Sequence, residues 1–244
     1  MTRLLGRSAA ATYRGMLRSQ WSVARWAFLT VVVLAGVAIA LLAAFGTPEV
    51  SVVGFARQGL IWFPFSMAIA VIVGFVNVHV AMGQTRRALG RGAVLTAVTL
   101  AVVYAAGLVA VLQTERAVYA VAGWKHVILD DLSFVSDTSQ VGLLFGEYLV
   151  AAAAGQLCGL LCGLVYYRYG GLRGTLALPL TVGPVVLVQA GLSADVPFLA
   201  GDLAVGTVGG GLARAALAVL VLAAVALAFQ LILRTTPIRT APVV

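Results

Sequence analysis

The chain has 244 residues, of which 62% are hydrophobic and only 10% are charged. A water-soluble domain carries about 25% charged residues, so a single soluble core is excluded. Its apolar runs are continuous over about 20 residues, the length of a membrane-spanning helix, and do not alternate as barrel strands do. The sequence therefore predicts an all-α integral membrane protein.

Six apolar runs predict six transmembrane helices. Their predicted limits are 26–45, 59–82, 92–113, 141–167, 174–194 and 215–233. Together they form one predicted transmembrane domain over 26–234, preceded by residues 1–25 and followed by a short tail, 235–244. The Gly-rich segment 195–211 is too short to cross a bilayer, and predicts a re-entrant or outer hairpin before the last span.

Residues 1–25 have the pattern of an amphipathic helix. At helical periodicity Arg7, Arg14, Arg18 and Arg25 fall on one stripe, and a second stripe lies beside it with Tyr13, Leu17, Trp21, Ala24 and Phe28. Such a helix lies in the membrane interface, with its arginines at the lipid phosphates. We therefore place Arg14, Arg18, Trp21 and Arg25 at the bilayer surface. The alternative is a disordered basic leader.

The net charge of +8 has a membrane explanation. Fifteen arginines and one lysine oppose eight acids. With six spans, twelve of the sixteen basic residues fall on the side of the N-terminus, and all eight acids fall on the other side. Because basic loops face the cytoplasm, we expect both termini to be cytoplasmic. This sorting accounts for the arginines without a nucleic-acid partner.

The most polar stretch, 114–140, lies on the predicted outer side. Its apolar residues Val118, Val121, Trp124 and Ile128 recur at helix-like spacing, which predicts a short helix on the membrane surface. The role of this outer stretch stays open. Glu147, at the outer edge of the fourth span, has three candidate environments: Arg214, Arg116 or water.

Motifs for catalysis or cofactor binding are missing. The single lysine, Lys125, is followed by His126, so there is no phosphate-binding Gly-Lys-Ser/Thr loop, and no Gly-x-Ser-x-Gly motif occurs. The histidines His79 and His126 fall on opposite predicted sides, which disfavours a metal site. The chain is therefore expected to bind no cofactor directly and not to be an enzyme.

Small residues repeat every four positions in the fourth span, at Gly155, Gly159 and Gly163. This spacing predicts close helix packing. Cys158 and Cys162 lie in the same run and are interpreted as small packing residues rather than as a metal or redox pair.

Few polar residues lie inside the predicted spans, and such groups face other helices or a cavity. Asn77 and His79 lie near the cytoplasmic end of the second span and Gln189 in the fifth. These three are candidates for lining a pathway. No ionisable residue is predicted deep in a span, so uphill transport would need energy from a partner.

The second and third spans are joined by a short basic hairpin, 82–92, with the sequence Met-Gly-Gln-Thr-Arg-Arg-Ala-Leu-Gly-Arg-Gly. The run Gly83 to Arg87 resembles one found between spans two and three of small bacterial permeases, the membrane subunits of ABC-2 type ATP-binding cassette exporters. Glu115-Arg116 after the third span is a second similarity. The order of elements is similar over nearly the whole chain, and the longer outer stretch departs from the common form.

The resemblance implies a permease in the bacterial cell membrane that pairs with a second, identical or different, membrane subunit. Two cytoplasmic ATPase subunits would bind ATP and Mg²⁺. Their groove would receive a coupling element formed by Gln84, Thr85, Arg86, Arg87 and Arg91, with the N-terminal helix beside it. Substrate would pass between the two membrane subunits along spans two and five.

Two other functions remain as alternatives to this interpretation. One is a non-transporting assembly or sensor subunit that uses the outer stretch for recognition. The other is a membrane-embedded enzyme that modifies lipids. Such an enzyme would need acids or histidines clustered near the cytoplasmic face, where the predicted topology places no acid.

Overall fold

The computed structural model describes residues 6–128, 138–192 and 208–237. Within these ranges the order of elements is α1 (Arg7–Phe45), a 3-10 helix (Val53–Ala56), α2 (Arg57–Ala81), α3 (Arg86–Ala122), α4 (Val141–Leu176), α5 (Leu178–Leu192) and α6 (Val208–Thr235). Five of these helices are long and apolar enough to cross a bilayer, and α5 is a shorter apolar helix. The prediction of an all-helical chain with the helices of a multi-pass membrane protein is confirmed.

Helix α1 is continuous where the sequence predicts an interfacial helix followed by a span. It has 39 residues, so at 1.5 Å per residue it is about 58 Å long, nearly twice the thickness of a hydrocarbon core. No break separates residues 7–25 from the apolar part. The placement of that first part in the membrane interface stays a prediction.

Helix α3 also extends beyond its predicted span. It begins at Arg86, within the predicted basic hairpin, and ends at Ala122, where Gly123 adopts a left-handed conformation with φ of 70°. The helix-like spacing of Val118 and Val121 therefore belongs to the C-terminal end of α3, and not to a separate surface helix. Polar residues after Gln113 interrupt the apolar run, so the span was predicted to end there.

The last three helices differ from the predicted limits in detail. Helix α4 continues through the predicted basic turn, with a break at Gly170, where φ is 80°. Helix α5 has 15 residues in place of the predicted span 174–194. Most of the predicted outer hairpin, 195–207, and most of the tail, 238–244, lie outside the described residues, and 208–211 form the start of α6.

Helix α4 lies at the centre of the bundle and packs against α2, α3, α5 and α6. Over its most apolar 18 residues it is 83% buried inside the protein, whereas α1 is 6% buried. Its glycines allow this close packing. A Cβ atom at Gly155 would lie 2.3 Å from the carbonyl oxygen of Ile61, and one at Gly159 would lie 2.3 Å from that of Phe65. At Gly163 the nearest atoms belong to Ile69 and Ile72 of α2.

Candidate functional site

The turn between α2 and α3 is determined by local sequence. Helix α2 ends with Gly83 in the left-handed region (φ 73°), and the N–H of Gln84 donates to the carbonyl of His79 over 3.0 Å. This is the Schellman arrangement, which glycine favours. Thr85 then caps α3, since its hydroxyl accepts from the N–H of Ala88 over 3.2 Å. The turn therefore needs only four residues, 82–85.

The three arginines of the hairpin lie in the first two turns of α3 and differ in their surroundings. Arg86 donates from Nη1 to the carbonyl oxygen of Arg234, at the end of α6, over 3.0 Å. Arg87 and Arg91 are exposed and four residues apart, so they share one helix face. Neither forms a hydrogen bond or ion pair with another described residue. Of the three, Arg87 and Arg91 are the ones available to a partner.

The hairpin also contacts the first helix of the chain. The hydroxyl of Thr12 donates to Oε1 of Gln84 over 3.0 Å. In the second turn of α3, a Cβ atom at Gly92 would lie 2.7 Å from Cβ of Thr12 and 3.0 Å from the carbonyl oxygen of Ala9. The start of α3 thus packs closely against the start of α1.

On another side the hairpin packs against α6. A Cβ atom at Gly90 would lie 2.3 Å from Oε1 of Gln230 and 3.1 Å from Leu233. Arg168 of α4 reaches the same end of α6, where it donates to the carbonyl of Ile232 over 3.2 Å and to the hydroxyl of Thr235. Cations at a helix C-terminus satisfy its free carbonyls and its dipole. The ends of α1, α3, α4 and α6 therefore meet at this face.

The predicted interfacial residues of α1 lie outside its buried face. Arg14, Arg18 and Arg25 are exposed, and Trp21 is 45% exposed. The buried face of this part of α1 is formed by Ala9, Thr12, Met16, Gln20 and Ala24. It shares Ala24 with the apolar stripe predicted from the sequence, whereas Tyr13, Leu17 and Phe28 of that stripe are half-buried and Trp21 is exposed.

A buried polar cluster lies at the opposite end of α2 and α3. Glu115 is 3% exposed, and its Oε1 accepts from the N–H groups of Val52 and Val53 over 2.7 and 3.2 Å. Its Oε2 accepts from the hydroxyl of Ser51 over 2.5 Å and from Nε2 of His126 over 3.0 Å. Since Val53 begins the 3-10 helix that leads into α2, this carboxylate connects the start of α2 with the last turns of α3.

Backbone contacts extend this polar cluster. The N–H of Ser51 donates to the carbonyl of Val127 over 2.8 Å, and the N–H of Val127 donates to that of Glu49 over 3.2 Å. The hydroxyl of Tyr119 donates to the carbonyl of Val50 over 3.0 Å. In the sequence, Glu115 was identified as half of an acidic-basic pair, and the cluster was missed. The one local signal for the cluster is an acid at the end of an apolar helix pattern.

Glu147 has a partner that the sequence analysis did not consider. Its Oε1 lies 3.1 Å from Nη2 of Arg57, with both side chains almost fully buried. The ion pair joins the first residue of α2 to the second turn of α4.

The candidate pathway residues do not form one group. Oδ1 of Asn77 accepts a hydrogen bond from the hydroxyl of Tyr167. His79 is buried and lies against Phe75, with ring centroids 5.1 Å apart. Gln189 is half-buried on α5, and the described contacts join it to neither of the other two.

Metal binding finds no support in the part of the chain that is described. No group of three or more His, Cys, Asp or Glu side chains there could hold an ion. Cys158 and Cys162 are buried free thiols within the central packing of α4.

Comparison with known proteins identifies no relative. No protein-family model matches the chain, and neither does a curated protein or a solved structure.

Proposed function

We propose that this chain is the membrane subunit of an ABC-2 type ATP-driven exporter, in a bacterial cell membrane with both termini cytoplasmic. In this proposal it pairs with a second membrane subunit and forms the substrate pathway between them. Separate cytoplasmic ATPase subunits bind ATP and Mg²⁺. The observation that carries the proposal is the basic α2–α3 hairpin, which packs against the ends of α1 and α6.

The geometry of the hairpin supports a coupling role. Its two helices are joined at one end by a four-residue turn and at the other by the buried carboxylate of Glu115. Along its length α2 contacts the glycine face of α4. A displacement applied at the turn would therefore move a packed unit as a rigid body, as domain movements in transporters do.

The hairpin residues fall into two groups, those that contact other parts of the chain and those that are exposed. Gln84, Thr85 and Arg86 are engaged within the chain, by Thr12, Ala88 and Arg234 respectively. Arg87 and Arg91 point to solvent. In the proposal these two exposed arginines contact an acidic groove of the ATPase, whereas the first three hold the hairpin in shape.

The test is co-purification with the ATPase encoded nearest to this chain. We expect a stable complex and stimulated ATP hydrolysis with the unaltered chain. Arg87→Glu/Arg91→Glu should lower ATPase binding by about tenfold or more, because each reversed charge turns attraction into repulsion. Lys125→Glu is the matched control, since it reverses an exposed charge at the opposite end of α3. Equal binding of the double variant, when correctly inserted, would contradict the coupling role.

A second measurement separates transport from assembly. Reconstituted vesicles that hold the chain and its ATPase should accumulate an amphiphilic probe only when ATP is supplied. Vesicular transport by the chain alone would contradict the proposal, because the chain would then use its own energy source. A stable complex that hydrolyses ATP and moves no probe would favour the sensor or assembly alternative.

A further inference from the structure

A groove opens along the flank of α1 that carries the arginines. It has a volume of about 840 Å³, within the range of sites that bind small molecules. Arg14, Arg18 and Trp21 line it from α1, together with Leu17 at its base, and Thr99 and Val103 line it from α3. The site lies away from the hairpin turn.

The charge in this groove has no counterpart within the nearby chain. Residues 7–45 and 57–114 contain no Asp or Glu, so no carboxylate on α1, on α2 or in most of α3 can neutralise Arg14 and Arg18. Neither arginine forms an ion pair with another described residue. Among the described residues Arg14 donates from Nε alone, to the carbonyl of Ala10 over 3.3 Å, and no hydrogen bond there engages its outer nitrogens. An anion from outside the chain would complete this site.

The remaining surface of the groove is apolar. Leu17 and Val103 form part of it. Val98 and Val102, the neighbours in sequence of Thr99 and Val103, do not line the groove but are 46% and 41% exposed, so apolar surface continues along α3. Trp21 is amphipathic and suited to the boundary between headgroups and acyl chains. A ligand that fits must therefore combine a negative headgroup with a long apolar part.

We infer that this groove between α1 and α3 binds one anionic phospholipid. Arg14 and Arg18 contact the phosphate, since guanidinium groups bind phosphate oxygens with paired hydrogen bonds. An acyl chain lies against Trp21 and the valines of α3. The inference does not depend on the proposed function, because the site lies outside the hairpin and needs no ATPase.

Quenching of Trp21 fluorescence tests this inference. A full-length variant with Trp26→Phe, Trp62→Phe and Trp124→Phe keeps Trp21 as its single tryptophan. It is placed in nanodiscs of phosphatidylcholine that contain increasing fractions of phosphatidylglycerol with brominated acyl chains. Brominated phosphatidylcholine serves as the neutral comparison. We expect quenching to be half-maximal at a mole fraction of brominated phosphatidylglycerol that is about tenfold lower than the one needed with brominated phosphatidylcholine.

Matched charge variants test whether the preference for phosphatidylglycerol comes from this groove. Arg14→Gln/Arg18→Gln should abolish the preference for phosphatidylglycerol. Arg7→Gln/Arg25→Gln removes the same charge from exposed positions of α1 outside the groove, and should retain the preference. Equal quenching by the two lipids in the parent, or equal loss in both double variants, would overturn the inference. Displacement of the brominated lipid by inorganic phosphate would also overturn it, in favour of a small-anion site.

Discussion

Arg57 and Glu147 form a buried ion pair, with Nη2 and Oε1 3.1 Å apart and side-chain exposures of 1% and 3%. They are ninety positions apart in the sequence and connect the first residue of α2 with α4. Breaking one side of such a pair leaves a buried charge, which costs more than the pair itself contributes.

We therefore expect Glu147→Ala to destabilise the protein by about 3–5 kcal/mol. The double variant Arg57→Met/Glu147→Ala should be less destabilised than the sum of Arg57→Met alone and Glu147→Ala alone. The measurement is thermal unfolding in detergent, analysed as a double-mutant cycle. Additive losses would show that the two side chains act independently of each other.

The carboxylate of Glu115 gives a second prediction. It accepts from four donors, among them the N–H groups of Val52 and Val53. In Glu115→Gln one carboxylate oxygen becomes an NH2 group, which cannot accept, so the four donors must share the one remaining oxygen or reverse their roles, at a cost of about 1–3 kcal/mol. Hydrogen exchange at residues 51–56 should accelerate. Glu49→Gln is the control, because the side chain of Glu49 is exposed, and it should leave the exchange unchanged.

These two contacts show which parts of the structure the sequence could predict. The helices themselves could be predicted, because a bilayer requires about 20 continuous apolar residues and these are visible locally. The continuity of α1 and of α3 could not, since the polar turns beside each apolar run were predicted as separate helices at the membrane surface. The partner of Glu147 could not be predicted either, because no local pattern indicates a contact across ninety residues.

The candidate site, too, could be predicted where it depends on local sequence and not where it depends on contacts between distant helices. The turn at Gly83 and Thr85 uses local chemistry and could be recognised as a tight hairpin from the sequence. Its contacts with Thr12 and Arg234 depend on how distant helices pack, and no local sequence pattern indicates which helices will be neighbours. The same applies to the groove beside Arg14, which needs α3 as its second wall.

The glycine face of α4 gives a third prediction. Gly159→Ala should lower the unfolding temperature, since the new Cβ would lie 2.3 Å from the backbone oxygen of Phe65, and overpacking costs about 1–3 kcal/mol. The matched control is Gly146→Ala on the same helix, where no atom lies within 4 Å. Alanine is the better helix former by up to about 1 kcal/mol, so this control should be neutral or more stable. Equal behaviour of the two variants would contradict the packing.

The contact between α1 and α3 gives the last prediction. In Gly92→Val the added atoms would collide with Thr12 and with the carbonyl of Ala9. Because the backbone carbonyl of Ala9 cannot move aside as a flexible side chain could, we expect the start of α1 to separate from α3. Gly74→Val is the control and should not have this effect, since no atom lies within 4 Å of that Cβ position. Trypsin cleavage after Arg14 and Arg18 reports the separation. The cleavage rate should increase about fivefold or more for an overpacking cost of about 1–3 kcal/mol. If cleavage is as slow in Gly92→Val as in the control, α1 is held to the bundle by contacts other than Thr12 and Ala9.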